Sequence, residues 1–344
     1  MLCARLVARG VRVTIPSMRF VVVGAGAVGG VVGGRLAQHG HAVVLVARGP
    51  QYEALRAGGL RIESPAGAVH VDVPVVERPD QIDWRSDDVV LLAVKTQDSD
   101  AALADLAAGA PREVALVCMQ NGVANERLAL RRFANVYGIC VACPTGFLTP
   151  GVVEAWSAPT TGLLDIGRFP SGIDAMAEAI AARFRSASFD AQARTDIMRW
   201  KYGKLLLNLG NAIEAICGPG ARRGRAAALT RREGVACLEA AGIDYVGEQE
   251  DAARRADHLR LGPIAGHTRP GGSSWQSLRR RVRSIETDYL NGEIVLLGRM
   301  FGVPTPVNEL LQRLANQMAH DATPPASLTG DELLALLPPE LRAS

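Results

Sequence analysis

Lysine is rare in this chain, and the few lysines that remain are the first candidates for proton transfer. Of 38 basic residues only three are lysines, Lys95, Lys201 and Lys204, and the others are arginines. Such a skew is typical of base-composition pressure, under which a position that needs only positive charge drifts to arginine. Arginine stays protonated at any working pH, whereas lysine releases its proton when a site lowers its pKa. The retained lysines therefore indicate acid–base chemistry.

Lys204 begins a polar stripe in a leucine-rich segment. Lys204, Asn208 and Asn211 are spaced i, i+4 and i+7, which places an amine and two amides on one face of a helix. Because polar groups on an apolar helix need partners, the stripe predicts either a binding site or a face that is solvated or caps a neighbouring loop. Lys201, three positions earlier, lies closer to a different face, and we do not expect it to take part.

A glycine-rich turn follows the first predicted strand. Gly24, Gly26 and Gly29 form the pattern G-x-G-x-x-G between a strand and a helix. In that setting the first glycine permits the tight turn, the second lets backbone N–H groups approach a pyrophosphate, and the third allows close helix–strand packing. The motif predicts a dinucleotide site that also uses the backbone of Ala27 and Val28.

The residue after the second strand indicates which dinucleotide binds. Sheets that select NAD place an acidic residue there for the ribose 2′-hydroxyl, but this chain has Arg48. A guanidinium pairs with a 2′-phosphate that a carboxylate would repel, so we expect NADP(H) as the cofactor. The alternative, in which Arg48 is only solvated and another strand end supplies the acid, stays open.

Two further polar residues follow buried strands. Lys95 comes directly after the strand that ends near Val94, and Asn121 follows the strand that ends near Cys118. Because ligands bind at the carboxyl ends of the strands of an open parallel sheet, we expect Lys95 and Asn121 to face the cofactor.

These residues require two kinds of scaffold. Up to about Asp190 the chain alternates short apolar strands with helices, with a hairpin over Leu60 to Val76, which is typical of an α/β domain. The second half is helical, in the segments Ala193 to Cys217, Leu229 to Ala241, Ser274 to Arg283, Ile285 to Met300 and Val307 to Met318. The predicted fold class is α/β, with an N-terminal Rossmann-type doubly wound sheet followed by an all-α domain.

The domain boundaries follow from these patterns. We predict an extension over residues 1–17 that is disordered and has no role in the fold, an NADP-binding Rossmann domain over 18–192, a helical substrate and catalytic domain over 193–322, and a peripheral tail over 323–344. The Gly- and Pro-rich stretch 262–272 predicts a loop that forms a mobile wall of a cleft.

Residues of the helical half complete a recognisable set. Ser273-Ser274 is followed by Glu286, twelve residues after the second serine. Together with Lys204, Asn208 and the motifs of the first half, this spacing resembles the ketopantoate reductase (2-dehydropantoate 2-reductase) family from about Met18 to Asn308. The resemblance implies an active site between the two domains and the reduction of a 2-keto acid with NADPH.

The resemblance also implies roles for individual residues. Lys204 would be the catalytic lysine, whose ammonium stabilises the charge that develops on the keto oxygen and delivers the proton. Glu286 would complete the catalytic pair, by holding that amine or by binding a substrate hydroxyl. Asn208 and Ser274 would bind substrate, and we add Asn211 because it continues the polar stripe.

Three departures from the family pattern concern the substrate. The family usually has Asn where this chain has Gly271, its second helix Asn where this chain has Ala212, and Gln-Asp where this chain has Trp275-Gln276-Ser277. Because a lost donor to a substrate hydroxyl changes discrimination by orders of magnitude, these positions bear on which substrate is used and leave the reaction type unchanged.

Three functions compete at this point. The leading interpretation is an NADPH-dependent reductase of ketopantoate, which forms pantoate for pantothenate and coenzyme A. The second is a related reductase or opine-type dehydrogenase with another carbonyl substrate, favoured by Gly271 and the shifted Asn211. The third is a non-catalytic NADP(H) sensor or scaffold, which the pair Lys204 and Glu286 argues against, since sensing needs no acid–base pair.

Composition excludes several other classes of partner. The net charge of +3 creates no field that would recruit nucleic acid or an anionic membrane, and the longest uncharged apolar stretch, Phe20 to Gly34, is too short to span a bilayer. The run Arg279 to Arg283 could grip phosphate, but a solvated helix face is the simpler interpretation. We expect a soluble protein acting on a small keto acid, with a homodimer left open.

The six cysteines indicate a reducing compartment. They lie mainly in apolar surroundings, and no signal-peptide pattern precedes the first strand. Cys140 and Cys143 form one C-x-x-C, but no second pair or His pair stands at zinc spacing. We therefore expect a cytoplasmic protein with buried thiols and no metal.

Overall fold

The computed structural model describes residues 18–256, 258–269 and 271–342, so the predicted extension over residues 1–17 lies outside the described residues. The strands are β1 Arg19–Val23, β2 Ala42–Val46, β3 Leu60–Ser64, β4 Gly67–Val71, β5 Val75–Val76, β6 Asp88–Leu92, β7 Ala115–Cys118, β8 Asn135–Ala142, β9 Thr145–Gly146, β10 Val152–Ala155, β11 Gly162–Arg168 and β12 Phe189–Asp190.

The first half carries five helices: α1 Ala27–Gln38, α2 Gly49–Gly58, α3 Ser99–Ala107, α4 Asn125–Leu130 and α5 Ala175–Arg185. The second half carries α6 Ile197–Asn208, α7 Gly210–Cys217, α8 Arg225–Ala240, α9 Glu248–Ala256, α10 Ser273–Arg279, α11 Asn291–Phe301, α12 Pro306–His320, α13 Gly330–Ala335 and α14 Pro339–Arg342. Short 3₁₀ turns at Thr96–Asp98 and Glu286–Tyr289 precede α3 and α11.

A large sheet organises the first half. Its strand order is β12-β11-β8-β7-β6-β1-β2-β5, and the strands from β5 through β8 run parallel, whereas β11 pairs with β8 in the antiparallel sense. The chain order reverses between β1 and β6, which is where open sheets bind ligands at their carboxyl edge. With the helical second half, this architecture confirms the predicted fold class.

A second sheet, β4-β3-β10-β9, covers the outer side of α1. A Cβ on Gly33 would lie 2.7 Å from Leu45 of the large sheet, and a Cβ on Gly34 would lie 2.7 Å from Leu60 and Ile62 of the small sheet. The predicted hairpin forms part of this small sheet, through antiparallel β3 and β4. The glycines of α1 therefore let one helix pack closely between two sheets.

The helical half departs from the predicted boundaries in two places. The segment predicted as Ala193 to Cys217 forms α6 and α7, separated at Leu209, whose backbone angles remain helical. The segment predicted as Ile285 to Met300 begins with a 3₁₀ turn before α11. The polar stripe of α6 and α7 nevertheless stays on one side, because the helical path continues through Leu209.

The predicted peripheral tail packs into the core of the helical half. Leu333 and Leu337 are buried with residues of α7, α8 and α12, and the Arg225 guanidinium donates to the carbonyl oxygens of Leu341 and Arg342. Apolar side chains buried this way stabilise the fold by about 2 kcal/mol each. The tail is thus a structural part of the domain.

Among the helices of the described ranges, none combines the length and the apolar character needed to cross a lipid bilayer.

Candidate active site

A cleft of about 450 Å³ lies between the two halves of the molecule. Its walls on one side are the carboxyl ends of β1, β6 and β7 with the start of α1, and on the other side α6, α7 and α10 with the loop before α10. Lys95 and Asn121 of the first half therefore meet Lys204, Asn208 and Glu286 of the second half across one space, at the edge of the sheet where the strand order reverses.

The glycine loop forms a cradle at the start of α1. Gly24 has a φ of +103°, and a Cβ there would lie 2.7 Å from the Val94 amide nitrogen, while a Cβ on Gly29 would strike the Gly24 carbonyl oxygen. At Gly26 a Cβ would meet no atom within 4 Å. Gly24 and Gly29 are thus glycines for close packing, whereas Gly26 keeps open the space in front of the helix.

That open space suits an anionic group. Gly26 is the N-cap of α1, no side chain caps the helix, and its first turn carries no acidic residue. The first N–H groups of a helix lack partners within it and carry partial positive charge, and Ala27 and Val28 of this turn line the cleft. The residues present therefore fit the diphosphate of a dinucleotide.

Lys204 projects into the cleft from α6. Its Nζ donates to the Asn121 side-chain oxygen at 2.9 Å, across the boundary between the two halves. Burial disfavours the charged amine and lowers the pKa of Lys204 to about 8. Asn208 and Asn211 also line the cleft, and the Asn208 Nδ2 is buried without a protein acceptor among the described residues. The structure thus brings the predicted stripe together on one wall.

Glu286 holds a different lysine from the one that we considered. Its carboxylate accepts a hydrogen bond from the Lys95 ammonium at 2.8 Å and from the Thr96 amide and hydroxyl, each at 3.1 Å. These bonds lower the pKa of Glu286 against the opposing effect of its burial. The expectation that Glu286 holds the Lys204 amine is therefore wrong in this structure, where Lys204 bonds to Asn121. Both Lys95 and Glu286 line the cleft.

Lys201 lies outside the cleft, as its phase on the helix predicts. It forms a buried ion pair with Glu126 at 2.5 Å and donates to the Gln120 carbonyl oxygen at 3.0 Å. A buried charge with a partner of this kind has a structural role, and Lys201 fastens α6 to the sheet.

Arg48 stands at the N-cap of α2, directly after β2. Its side chain is 59% exposed and pairs with the 48% exposed carboxylate of Asp105 at 2.5 Å. Exposed ion pairs of this kind contribute little to stability, so the guanidinium is free to exchange Asp105 for another anion. It does not line the cleft as the glycine loop does.

The two serines of α10 differ from the prediction. Ser274 is only 2% exposed and does not line the cleft, whereas Ser273 does, with a buried Oγ that lacks a partner among the described residues. Because neighbouring residues of a helix point about 100° apart, only one of the two can face the ligand. The assignment of Ser274 to substrate binding therefore finds no support in this geometry, in which Ser273 is the serine that lines the cleft.

Trp275 explains one departure from the family pattern. A Cβ on Gly271 would lie 2.6 Å from the ring of Trp275 and 2.8 Å from its Cβ. No larger residue fits at position 271 while the indole holds this place. A side chain at position 271 thus requires the Trp275 indole to move.

The loop predicted over residues 262–272 does form a wall of the cleft. Arg269 and Gly271 line it, and the His267 ring is held between Glu154, at 2.9 Å, and Glu63, at 2.7 Å, both on the small sheet. These contacts fasten the middle of the loop to the first half of the molecule.

Sequence reasoning missed one residue of α10 and the residue that caps its C-terminus. Gln276 and Arg280 line the cleft, although the whole Arg279 to Arg283 run was expected to be a solvated face; Arg279, Arg281 and Arg283 are indeed exposed. The signal that could have found both is their spacing: they lie three and seven positions after Ser273, so the three residues share one helix face.

Both thiols of the C-x-x-C are buried or half-buried. The Cys140 and Cys143 Sγ atoms donate to the carbonyl oxygens of Trp200 and Thr161, at 3.7 Å and 3.6 Å, and burial raises the pKa of Cys143 to about 12. Thiols protonated in this way are unreactive, in agreement with the expectation of ordinary buried cysteines.

Comparison with known proteins identifies close parallels for both halves. Residues 20–170 match the family model described as ketopantoate reductase PanE/ApbA, and residues 196–319 match the model of its C-terminal domain. A 2-dehydropantoate 2-reductase of Halobacterium salinarum is 30% identical over 323 residues, which cover 88% of this chain and 100% of that protein. One of Pyrococcus horikoshii is 28% identical over 308 residues, covering 86% and 96%.

A solved structure shows the same architecture. The PanE/ApbA family ketopantoate reductase from Ralstonia eutropha JMP134 is 28% identical, and it superposes with a TM-score of 0.74 over 89% of this chain and 99% of its own. The similarity thus extends across both halves and the cleft between them.

Proposed function

Because the chain belongs to the ketopantoate reductase PanE/ApbA family, and is thus a nicotinamide-dependent oxidoreductase acting on a CH–OH group, we propose that it reduces 2-dehydropantoate to pantoate with NADPH. The observation that supports this reaction most directly is the environment of Lys204. Its ammonium lines the cleft between the halves, lies 2.9 Å from Asn121 and has a pKa lowered by burial to about 8. A group with a pKa near the working pH is an efficient proton donor.

One wall of the cleft binds the cofactor and the other carries the proton donor. A bound nicotinamide supplies the hydride for the keto carbon. The glycine loop and the first N–H groups of α1 bind the diphosphate, and Lys95, held by Glu286, presents a second positive charge on the same side. Lys204 stabilises the negative charge that develops on the keto oxygen and then gives that oxygen its proton.

The substrate contacts follow from the same wall as Lys204. Asn208 and Asn211 line the cleft beside it, and the free Nδ2 of Asn208 is a donor that awaits an acceptor. A keto acid supplies such acceptors through its carbonyl and carboxylate oxygens. The Asn121 side-chain oxygen accepts a hydrogen bond from the Lys204 ammonium and thereby keeps the ammonium oriented toward the space between the walls.

Arg48 supports NADP(H) rather than NAD(H). The guanidinium follows β2, at the position where a carboxylate would bind the 2′-hydroxyl of NAD. Its single ion pair with Asp105 is solvent-exposed, so a 2′-phosphate can replace that carboxylate at little cost.

A second candidate, reduction of a different 2-keto acid on the same scaffold, is favoured by one wall of the cleft. Gly271, packed against Trp275, lines this wall and lacks the side-chain amide that the family usually carries there. Without that donor the site offers fewer partners for a substrate hydroxyl.

A panel of carbonyl compounds assayed by NADPH oxidation separates these functions. Turnover of 2-dehydropantoate with pantoate as product supports the first proposal, whereas turnover of other 2-keto acids alone supports the second. Tight NADPH binding without turnover of any carbonyl compound would overturn both and leave a sensor or scaffold.

A further inference from the structure

One face of α10 forms part of the cleft wall. It carries Ser273 and Gln276, which with Arg280, the C-cap that ends the helix, are spaced i, i+3 and i+7, and all three line the cleft. Gln276 is fully engaged, because its amide donates to the Thr145 carbonyl oxygen at 3.1 Å and accepts from the Phe147 amide at 3.3 Å. Gln276 therefore fixes the position of α10 relative to the first half of the molecule.

Arg280 is a half-buried cation without an anion. Its Nε is buried and has no hydrogen-bond partner among the described residues, and no ion pair to its guanidinium is found there. Its fixed neighbour is the Phe147 ring, whose centre lies 5.3 Å from the guanidinium carbon. By contrast, two other arginines of the cleft are paired, Arg222 with Glu214 and Arg255 with Asp251.

This arrangement leaves Arg280 short of an electrostatic partner. Burial disfavours the charged form and lowers the pKa of Arg280, with no nearby carboxylate to oppose that effect. A desolvated charge that lacks a partner is expensive unless a ligand completes the site, and the flat ring of Phe147 holds the guanidinium in place to receive one.

Three unsatisfied groups on the helical wall of the cleft can donate hydrogen bonds. On the helical wall of the cleft, the Arg280 Nε, the Ser273 hydroxyl and the Asn208 Nδ2 are buried without protein acceptors in the described part of the chain. Three donors of this kind need a group that only accepts and offers several lone pairs. A carboxylate has that property, and a guanidinium binds it with two parallel bonds.

From this geometry we infer that Arg280, assisted by Ser273, binds the carboxylate of the substrate and sets the preference for 2-keto acids over neutral carbonyl compounds. The inference rests on the proposed function and adds a specificity-determining residue to it. The diphosphate of the cofactor has its own cradle at the start of α1 on the opposite wall. Arg280 shares its wall with Lys204 and Asn208, where the keto group must lie.

The test compares Arg280→Gln with Arg279→Gln, a matched control because Arg279 is the exposed neighbour in the same run. Each enzyme is assayed with the best 2-keto acid of the wild type and with the corresponding neutral 2-keto amide, and NADPH binding is measured by fluorescence. We expect Arg280→Gln to raise the KM for the acid about 10- to 100-fold, with the KM for the amide and the Kd for NADPH unchanged. Arg280→Lys should restore part of the loss, and Arg279→Gln should match the wild type.

Two results would overturn the inference. One is an equal KM for the acid in Arg280→Gln and wild type, and the other is a weakened NADPH affinity without a selective effect on the acid, which would assign Arg280 to the cofactor. Failure of the proposed function would show in the wild type itself, as no NADPH oxidation with any keto acid. Calorimetry with oxamate, a non-reducible 2-keto acid analogue, then tests the carboxylate site without turnover. Weaker binding of oxamate to Arg280→Gln than to the wild type supports the inference. The inference is overturned if the two proteins bind oxamate equally well or if the wild type does not bind it.

Discussion

The Glu286 carboxylate lies 2.8 Å from the Lys95 ammonium, although 191 residues separate the two in the chain. This ion pair joins the 3₁₀ turn before α11 to the carboxyl end of β6. The other two lysines also bridge the halves, Lys204 to Asn121 and Lys201 to Glu126. All three lysines of the sequence therefore join the two halves, Lys95 and Lys204 in the walls of the cleft and Lys201 outside it.

Removing Lys95 should weaken the contact between the halves. Lys95→Met leaves the Glu286 carboxylate, 5% exposed, with only the two Thr96 donors. Because a hydrogen bond to a charged group is lost, we expect the free energy of unfolding at pH 7 to fall by about 2 kcal/mol. Lys95→Arg keeps the charge and should lose less. Urea unfolding followed by circular dichroism measures the difference.

The same variant predicts a pH dependence with a defined sign. The pKa of Glu286 is held below its ordinary value of 4.5, so its pairing stabilises the fold above that pH, and the stabilisation is lost as the pH falls through the lowered pKa. The stability gap between wild type and Lys95→Met should therefore narrow in acid. A gap that stays constant as the pH falls well below 4.5 would contradict the role of the ion pair.

Replacing Lys204 tests the proton donor. Lys204→Arg keeps a positive charge beside Asn121 but gives up a proton far less readily, so we expect kcat to fall about 10²- to 10⁴-fold. Because the glycine cradle is untouched, the Kd for NADPH should stay within about twofold of the wild-type value, which corresponds to much less than the 1.4 kcal/mol of a tenfold change. Near-normal turnover by this variant would remove Lys204 from the reaction.

The pH profile of the wild type should report the same group. Since burial lowers the pKa of Lys204 to about 8, its protonated form, which is the acid in the reductive direction, predominates below that pH. We expect kcat/KM for keto acid reduction to be flat below about pH 8 and to fall above it, and the oxidation of the hydroxy acid to rise over the same range. Steady-state rates at constant ionic strength give the profile, and Lys204→Arg should abolish the break.

Some features of the site are local and were open to prediction, whereas others depend on long-range packing. Gly24 and Gly29 are required by a turn and a contact within one βα unit, so their spacing suffices to identify them. The partner of Glu286 was not predictable, since it depends on how the two halves dock. The prediction chose Ser274, whereas Ser273 lines the cleft, for a different reason. Neighbouring residues of a helix point about 100° apart, and no capping signal in the sequence fixes where α10 begins, so the serine that faces the cleft could not be identified.

Arg280 shows why charge patterns mislead near a cleft. Four arginines surround Val282 in the run from Arg279, and such a run is typical of a solvated helix face. The structure exposes three of them and turns Arg280 toward Phe147 and the cleft. Nothing in the composition distinguishes it from its neighbours, and only its phase relative to Ser273 does.

Cofactor preference should follow position 48. Arg48→Asp replaces a phosphate-binding group with a carboxylate that repels phosphate and accepts from the 2′-hydroxyl of NAD. We expect the KM for NADPH to rise about tenfold or more relative to that for NADH, as the loss of one charge-assisted pair implies. Asp105→Asn is the control, because it frees Arg48 from its exposed partner and should leave the preference intact or strengthen it. An unchanged NADPH to NADH ratio in Arg48→Asp would refute the assignment.

The coupling between Gly271 and Trp275 should appear as non-additivity. A Cβ at position 271 would lie 2.6 Å from the indole ring, so Gly271→Asn alone overpacks the cleft wall and should destabilise the fold by about 1 to 3 kcal/mol. Trp275→Ala opens the space that the amide needs. The double variant should therefore be more stable than the sum of the two single effects predicts, and it should gain activity on keto acids that carry a hydroxyl, because an amide donor returns to the wall. Thermal unfolding of the wild type, the two single variants and the double variant measures the coupling energy between positions 271 and 275. Strictly additive effects would show that the indole moves aside without cost and does not restrict position 271.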